Sequence, residues 1–455
     1  MIIKTQAMKR SSLLFIPLAI LLLGRCGNKL SNTAGPPFKD VDVAFHDFEI
    51  DPSKGDTLKM ENGTSIFIPV DAFADADGKP VTGKVSIKYR EFHNAAEILA
   101  SGISMNYDSA GSKMSFQTAG MFEINAFVNS STPVNIASGK SITVNLASGV
   151  NDGDYKFYKY DKEKNNWEFK SGGVKPVENA ERKDMLSQLD AMPHEPKMPE
   201  KYIDGTPVFD FDYDEAEHPE LKSFEGVMWE YAGNASPQEP DINKEKWVFT
   251  YNWSGVTIEN YKPEELLYKV NFTSKERSFS TVVKPVLKGK KYEDALADFQ
   301  QKVDQFKEVK VKRENLQKQV EKQEEFVRSY ELQGFGIYNH DRIYHADDAV
   351  MVNAEFELDK NAPVNIEDVA VYLICGKDRS VNTFYKDTWD KFGYLPADNN
   401  RLVVVFPDNR IATFENNEFE HLDPRALHRE SKHVFHLHTK EQRISSMNDL
   451  QAALK

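Results

Sequence analysis

Lys84-Val-Ser-Ile-Lys-Tyr89 and Met121-Phe-Glu-Ile-Asn-Ala-Phe127 decide the fold class, because apolar residues recur at every second position among β-branched and aromatic neighbours. Ser65-Ile-Phe-Ile68 and Ser141-Ile-Thr-Val-Asn-Leu146 repeat that period. Asp77-Gly78, Ser138-Gly139 and Asp152-Gly153 supply turns that need positive φ. Tyr155-Lys-Phe-Tyr-Lys-Tyr160 and Trp167-Glu-Phe169 read as a closing hairpin. With no helical periodicity between them, residues 41–170 predict an antiparallel β-sandwich.

Working outward, Gly172-Gly173, a short helical stretch over 178–189 and Pro193, Pro196 and Pro199 mark a linker at 171–205. A second β domain is expected at 206–289. Its clearest strands are Lys246-Trp-Val-Phe-Thr-Tyr251, Leu266-Leu-Tyr-Lys-Val-Asn-Phe272 and Phe279-Ser-Thr-Val-Val283, around an aromatic core. Residues 290–330 contain no Gly and no Pro, which permits one uninterrupted charged helix of about 60 Å. Tyr292, Leu296, Phe299, Val303 and Phe306 form a seam on it, which Lys310 and Arg313 interrupt before Leu316 and Val320. Such a seam serves either packing along the chain's own β domains or a partner helix. Charge at Lys310 and Arg313 favours the first, with the front half docked, the back half solvated and the chain a monomer. Strands return at 331–445, and 446–455 suits a short capped helix. The fold class expected is mainly β: two to three antiparallel sandwich-like domains plus one long helix.

The chain has 455 residues and a formal net charge of −14. An acidic body disfavours nucleic acid as a partner. Lys4, Lys9 and Arg10 precede an apolar run from Leu13 to Leu23, too short to span ~30 Å of hydrocarbon and suited to a signal peptide over 1–26. Leu23-Gly24-Arg25-Cys26 resembles the lipobox of bacterial lipoproteins, with Arg25 where that family has a small residue. The resemblance implies lipidation at Cys26. Residues 27–40, small and polar with Pro36-Pro37, have the composition of a tether. Cys375, the other cysteine, lies in the apolar run Val369-Ala-Val-Tyr-Leu-Ile-Cys375 and reads as a buried, inert thiol.

Glu61-Asn-Gly-Thr-Ser-Ile-Phe-Ile-Pro-Val-Asp-Ala-Phe73 resembles the opening of the β-sandwich found beside spectrin-binding regions in ankyrins. Gly78-Lys-Pro-Val-Thr-Gly-Lys-Val85 and Thr118-Ala-Gly-Met-Phe-Glu-Ile124 are similar to segments of uncharacterised bacterial outer-membrane lipoproteins. That resemblance implies a fold and an envelope setting, and no activity.

Seven histidines, His340, His345, His421, His428, His433, His436 and His438, follow Asn339. On a strand, His436 and His438 would point to one face with their Cα atoms about 6.5 to 7 Å apart, and a metal would need a third ligand such as Asp347 or Asp348. A solvent-facing strand decorated with polar residues gives the same pattern, so no metal or cofactor is assigned. Asp210, Asp212 and Asp214 alternate with Phe209, Phe211 and Tyr213, and a strand there would line up three carboxylates that Ca²⁺ could bridge. Asp71, Asp75 and Asp77 before Gly78 read as a turn. Nucleophile and phosphate-loop motifs are absent from the sequence. The expected function is a membrane-anchored envelope lipoprotein of the outer membrane, a non-catalytic binding or structural module for envelope proteins or glycans. The alternative is a cell-surface hydrolase with a carboxylate or His/metal site in the C-terminal β domain.

Overall fold

The period-two stretches build two facing sheets. In the larger, the strands run in the order His46–Ile50, Val85–Phe92, Ser112–Val128, Gly336–Tyr344, Lys156–Asp161 and Asn166–Ser171. The smaller runs Val177–Glu178, Phe326–Leu332, Ile142–Ser148, Ser65–Ile68 and Asp56–Lys59. The alternate residues of both sheets meet in one core: Ile87, Tyr89, Phe122 and Ile124 from the first, Ile66, Ile68, Val144 and Leu146 from the second. Each such side chain contributes roughly 1.5 to 3 kcal/mol by leaving water. The computed structural model describes residues 35–455 apart from 110–111, 215, 219–220, 222–225, 234–245, 263–264, 345–348, 376, 378 and 428–431. Cys26 with its leader, and His345, Asp347, Asp348 and His428, lie outside the described residues.

Ser112–Val128 passes close to the opposite sheet at Gly120, whose φ is +149° and whose missing Cβ would stand 3.0 Å from Leu146 Cδ2. Thr118 fixes that passage, accepting from Gly120 N at 2.9 Å while donating to Asn339 Oδ1 at 2.6 Å. A helix, Ala95–Ser101, interrupts the sandwich where the sequence showed no helical period. Its reason is burial nearly all round: Ala95, Ala96, Ile98, Leu99, Ala100 and Ser101 are all buried, so no polar face marks it.

The first sandwich does not end at 170. Phe326–Leu332 pairs with Ile142–Ser148, placing Val144 opposite Tyr330, and Gly336–Tyr344 sits in the middle of the larger sheet. The helix expected over 290–330 is Lys290–Lys322, because Phe326-Val-Arg-Ser-Tyr-Glu-Leu332 finds strand partners far away in sequence. Residues 180–322 are therefore an insertion between two strands, Val177–Glu178 and Phe326–Leu332, that pair with each other. Asn179 clasps its two ends, donating from Nδ2 to Gln323 Oε1 and to Glu324 O, each at 2.9 Å.

The insertion opens with the helix Ala180–Ala191 and holds a sheet in the order Val208–Phe209, Met228–Gly233, Ser278–Leu287, Leu267–Thr273 and Gly255–Lys262. Its core is aromatic, with Phe209, Trp229, Tyr268, Phe272 and Phe279 buried together. Lys246–Phe249 is a 3₁₀ turn rather than the expected strand, and Trp247, Phe249 and Trp253 pack partly buried on that core. Ala295 and Val320 are the buried residues of the long helix, so Phe299 and Phe306 are only half covered.

The last sheet runs Ala354–Leu358, His433–Thr439, Ile411–Phe414, Arg401–Val405, Val371–Cys375 and Ser380–Phe384. It is faced by the two-stranded pair Val350–Val352 with Phe392–Tyr394 and by short helices rather than by a second large sheet. Phe356, Leu373, Leu402, Phe435 and Leu437 pack under short helices on one face. On the other face Ile374, Val381, Val403 and Ile411 join Ala95–Ser101 and the terminal helix Met447–Ala453 in a core shared with the first sandwich. Phe38 and Val41 are buried in that same core, and Lys39 N donates to Asn409 Oδ1 at 2.8 Å. The segment read as a tether to residue 40 is thus docked from Phe38 onward.

Candidate functional site

Glu355-Phe-Glu-Leu-Asp359 and Val434-Phe-His-Leu-His438 carry the same period, and the structure lays them side by side. Ala354–Leu358 is parallel to His433–Thr439, with Phe356 opposite Phe435, Glu357 opposite His436 and Leu358 opposite Leu437. Phe356, Phe435 and Leu437 are buried, so Glu357, Asp359, His436 and His438 share the outer face. Asp359 Oδ1 lies 3.2 Å from His436 Nε2 and 3.6 Å from His438 Nδ1. The ligand atoms of Asp359, His436 and His438 all fall within 4.8 Å of one another, the one such group among the described residues.

Asp359 is held rather than loose. Its Oδ2 accepts from Thr439 N at 2.7 Å, a bond that with His436 and His438 brings its pKa down to about 2. The second nitrogen of each histidine faces a further carboxylate: His436 Nδ1 is 3.8 Å from Glu357 Oε2, and His438 Nε2 is 3.8 Å from Glu418 Oε1. The sequence singled out His436 and His438 and looked for the third ligand at Asp347 or Asp348. Asp359 was missed, although the alternation matching that of the histidine strand was its visible signal.

The other candidates are dispersed. Val208–Phe209 is a strand beside the Asp210, Asp212 and Asp214 stretch; their carboxylates are exposed and, among the described residues, form no group of ligand atoms, while Phe209, Phe211 and Tyr213 pack inward as expected. Asp75 Oδ1 accepts from Asp77 N and Lys79 N at 2.9 Å each, a turn at Gly78. His421 Nδ1 is 2.5 Å from Asn417 O, and the His433 ring stands against Phe435. Cys375 is buried in its strand, with Asn382 Nδ2 donating to Sγ at 3.5 Å.

Two features had no sequence signal. Arg328, His340 and Asp341 are buried together with Tyr155 and Tyr330, of which Tyr155 stacks on the His340 ring and Tyr330 is tilted against it. Burial and the charge of Arg328 push His340 down to about 3, and burial pushes the Asp341 carboxyl well above the carboxylate range. Beside this cluster a groove of about 550 Å³ opens between the hairpin of Lys156–Asp161 and Asn166–Ser171 and the strand Phe326–Leu332. Phe157, Tyr330 and Tyr338, all buried in the sandwich core, and Lys159, Lys170 and Glu331 are among its lining residues. Burial and the neighbouring Lys170 hold Lys159 below the ordinary lysine range.

Comparison with known proteins returned no match: no family model, curated protein or solved structure is similar to the chain. Among the described residues, no helix is long and apolar enough to cross a membrane.

Proposed function

We propose that the chain is a membrane-anchored envelope lipoprotein that acts as a non-catalytic binding module. The groove carries the reading: a lining of three aromatic rings, one carboxylate, Glu331, and two lysines suits recognition better than general acid–base chemistry. Phe157 and Tyr330 are stacked 4.1 Å apart at their centroids and almost fully buried, a rigid apolar base beneath a bound sugar. An anionic group on the same ligand would relieve the strained charge of Lys159. Envelope glycans bearing carboxylates or phosphates combine both features. The leader, the lipobox-like Leu23-Gly24-Arg25-Cys26 and the early docking of Phe38 support a body kept close to its membrane.

Two experiments bear on the two halves of this reading. Cys26→Ser is expected to release the protein from the membrane fraction or leave an unprocessed precursor; unchanged partition and mobility would sink the anchor. Titrating isolated envelope glycan fragments into the purified protein is expected to give saturable binding that Lys159→Glu with Lys170→Glu abolishes. Binding that ignores both reversals would remove the groove from the account.

The hydrolase reading has the Asp359, His436 and His438 group in its favour. That group lies on an open sheet face with all three side chains well exposed, so it lacks the enclosed cleft that would hold a substrate against it.

A further inference from the structure

We propose that Asp359, His436 and His438 bind one divalent transition-metal ion of the zinc class, clipping the edge strand Ala354–Leu358 to His433–Thr439. The inference is independent of the glycan reading, which concerns a different face of a different sheet. Three observations carry it. First, the spacing is close to what a metal imposes: bonds of ~2.1 Å in tetrahedral geometry put ligand atoms about 3.4 Å apart. Asp359 Oδ1 stands 3.2 Å from His436 Nε2 and 3.6 Å from His438 Nδ1. The remaining pair, His436 and His438, lies within 4.8 Å, and metal binding would have to draw it closer.

Second, the ligands are oriented from behind. One oxygen of Asp359 is tied to Thr439 N, which leaves the other free to face the two imidazoles. Each histidine turns one nitrogen to Asp359 and the other toward a carboxylate, Glu357 for His436 and Glu418 for His438. A carboxylate hydrogen-bonded behind a ligating imidazole fixes its tautomer and raises its basicity, and at 3.8 Å Glu357 and Glu418 stand a small side-chain movement away from that contact.

Third, the donor set is selective. Two imidazoles and one carboxylate suit Zn²⁺, Co²⁺, Ni²⁺ or Cu²⁺ and are a poor match for Mg²⁺ or Ca²⁺, which take oxygen ligands. The ion would keep at least one position open to water, since three protein ligands do not complete a tetrahedron. The site also sits where a clip has most effect. Ala354–Leu358 is the edge of its sheet and is joined to it by a parallel pairing in a sheet otherwise antiparallel.

The test is calorimetric titration of the chelator-stripped, purified protein with ZnCl₂, with MgCl₂ and CaCl₂ in parallel and circular dichroism as the check on folding. One equivalent of Zn²⁺ is expected to bind, with no saturable uptake of Mg²⁺ or Ca²⁺. His436→Ala, His438→Ala and Asp359→Ala, all on an exposed face, are each expected to remain folded and weaken Zn²⁺ binding by about tenfold or more. Glu357→Gln is expected to weaken it by about tenfold without abolishing it, as loss of a carboxylate behind the imidazole should. Zinc should also raise the melting temperature of the parent and not that of the His436→Ala, His438→Ala double variant. Absence of saturable Zn²⁺ binding, or uptake that survives intact in the double variant, overturns the proposal.

Discussion

Asp341 lies in the middle of a sheet with no exposed surface, and among the described residues only the Thr118 hydroxyl stands near enough to favour its charged form. Burial raises its pKa well above that of the unfolded chain, with Thr118 offsetting only part of the effect. The native state therefore keeps a proton that the unfolded state releases. Stability contributed by that proton is complete below about pH 4 and declines as pH rises beyond it. Asp341→Asn keeps the shape and removes the titration, so it is expected to stabilise the protein at pH 7 relative to the parent. It should also flatten the decline between pH 5 and pH 7. Denaturant melts at both pH values decide it; a destabilised variant would mean the carboxylate is ionised and paired. Nothing in Asn339-His-Asp341 announces this burial, because three polar residues in a row read as a loop or an exposed strand. The metal candidates were legible to a different degree. His436 and His438 follow from a period of two, whereas Asp359 required knowing which strand lies alongside, a fact of pairing that no single strand encodes.

Arg313 illustrates the same limit at the level of elements. In the sequence it interrupts an apolar seam and reads as a solvated charge; in the fold it caps another helix. Its NH1 donates to Leu189 O at 2.6 Å and to Met192 O at 3.4 Å, and its NH2 is 3.2 Å from His194 Nδ1. Those carbonyls end the helix Ala180–Ala191, where unpaired acceptors and the negative end of the helix dipole favour a cation. Arg313→Ala is expected to cost about 1 to 2 kcal/mol and to loosen that helix first. Hydrogen exchange at residues 186–191 should accelerate while the sheet amides stay protected; unchanged exchange there would show the contact to be incidental. The existence of the long helix was legible, since 290–330 lacks breakers. Its end at Lys322 was not, because Phe326–Leu332 becomes a strand through partners at Ile142–Ser148 and Val177–Glu178, far off in sequence.

At the scale of the molecule, the chain leaves its first sandwich after Glu178 and returns at Phe326, and the insertion between has a core of its own. Residues buried around Trp229, Tyr268 and Phe272 all belong to it, and among the described residues none of the three remaining cores draws one from 180–322. What crosses the junction is polar: Lys59 with Glu181, Lys322 with Glu61, Arg182 with Glu325 and the clasp at Asn179. Exposed ion pairs of this kind contribute little, about 0 to 1 kcal/mol each. The two ends stand side by side, since Glu178 pairs with Phe326. A short glycine-rich loop can bridge them at an entropic cost that grows only slowly with length. Excising 180–322 and closing the gap with such a loop is therefore expected to leave a folded protein that keeps both sheets of the sandwich and the C-terminal sheet. Zinc uptake at Asp359, His436 and His438 should persist in it, and the helical circular-dichroism signal should fall with loss of the long helix. The strand Phe326–Leu332 is the exposed point of this argument. It is central to the smaller sheet and enters only after the insertion, so if 180–322 were needed to deliver it, the excised chain would collapse or aggregate instead of melting cooperatively.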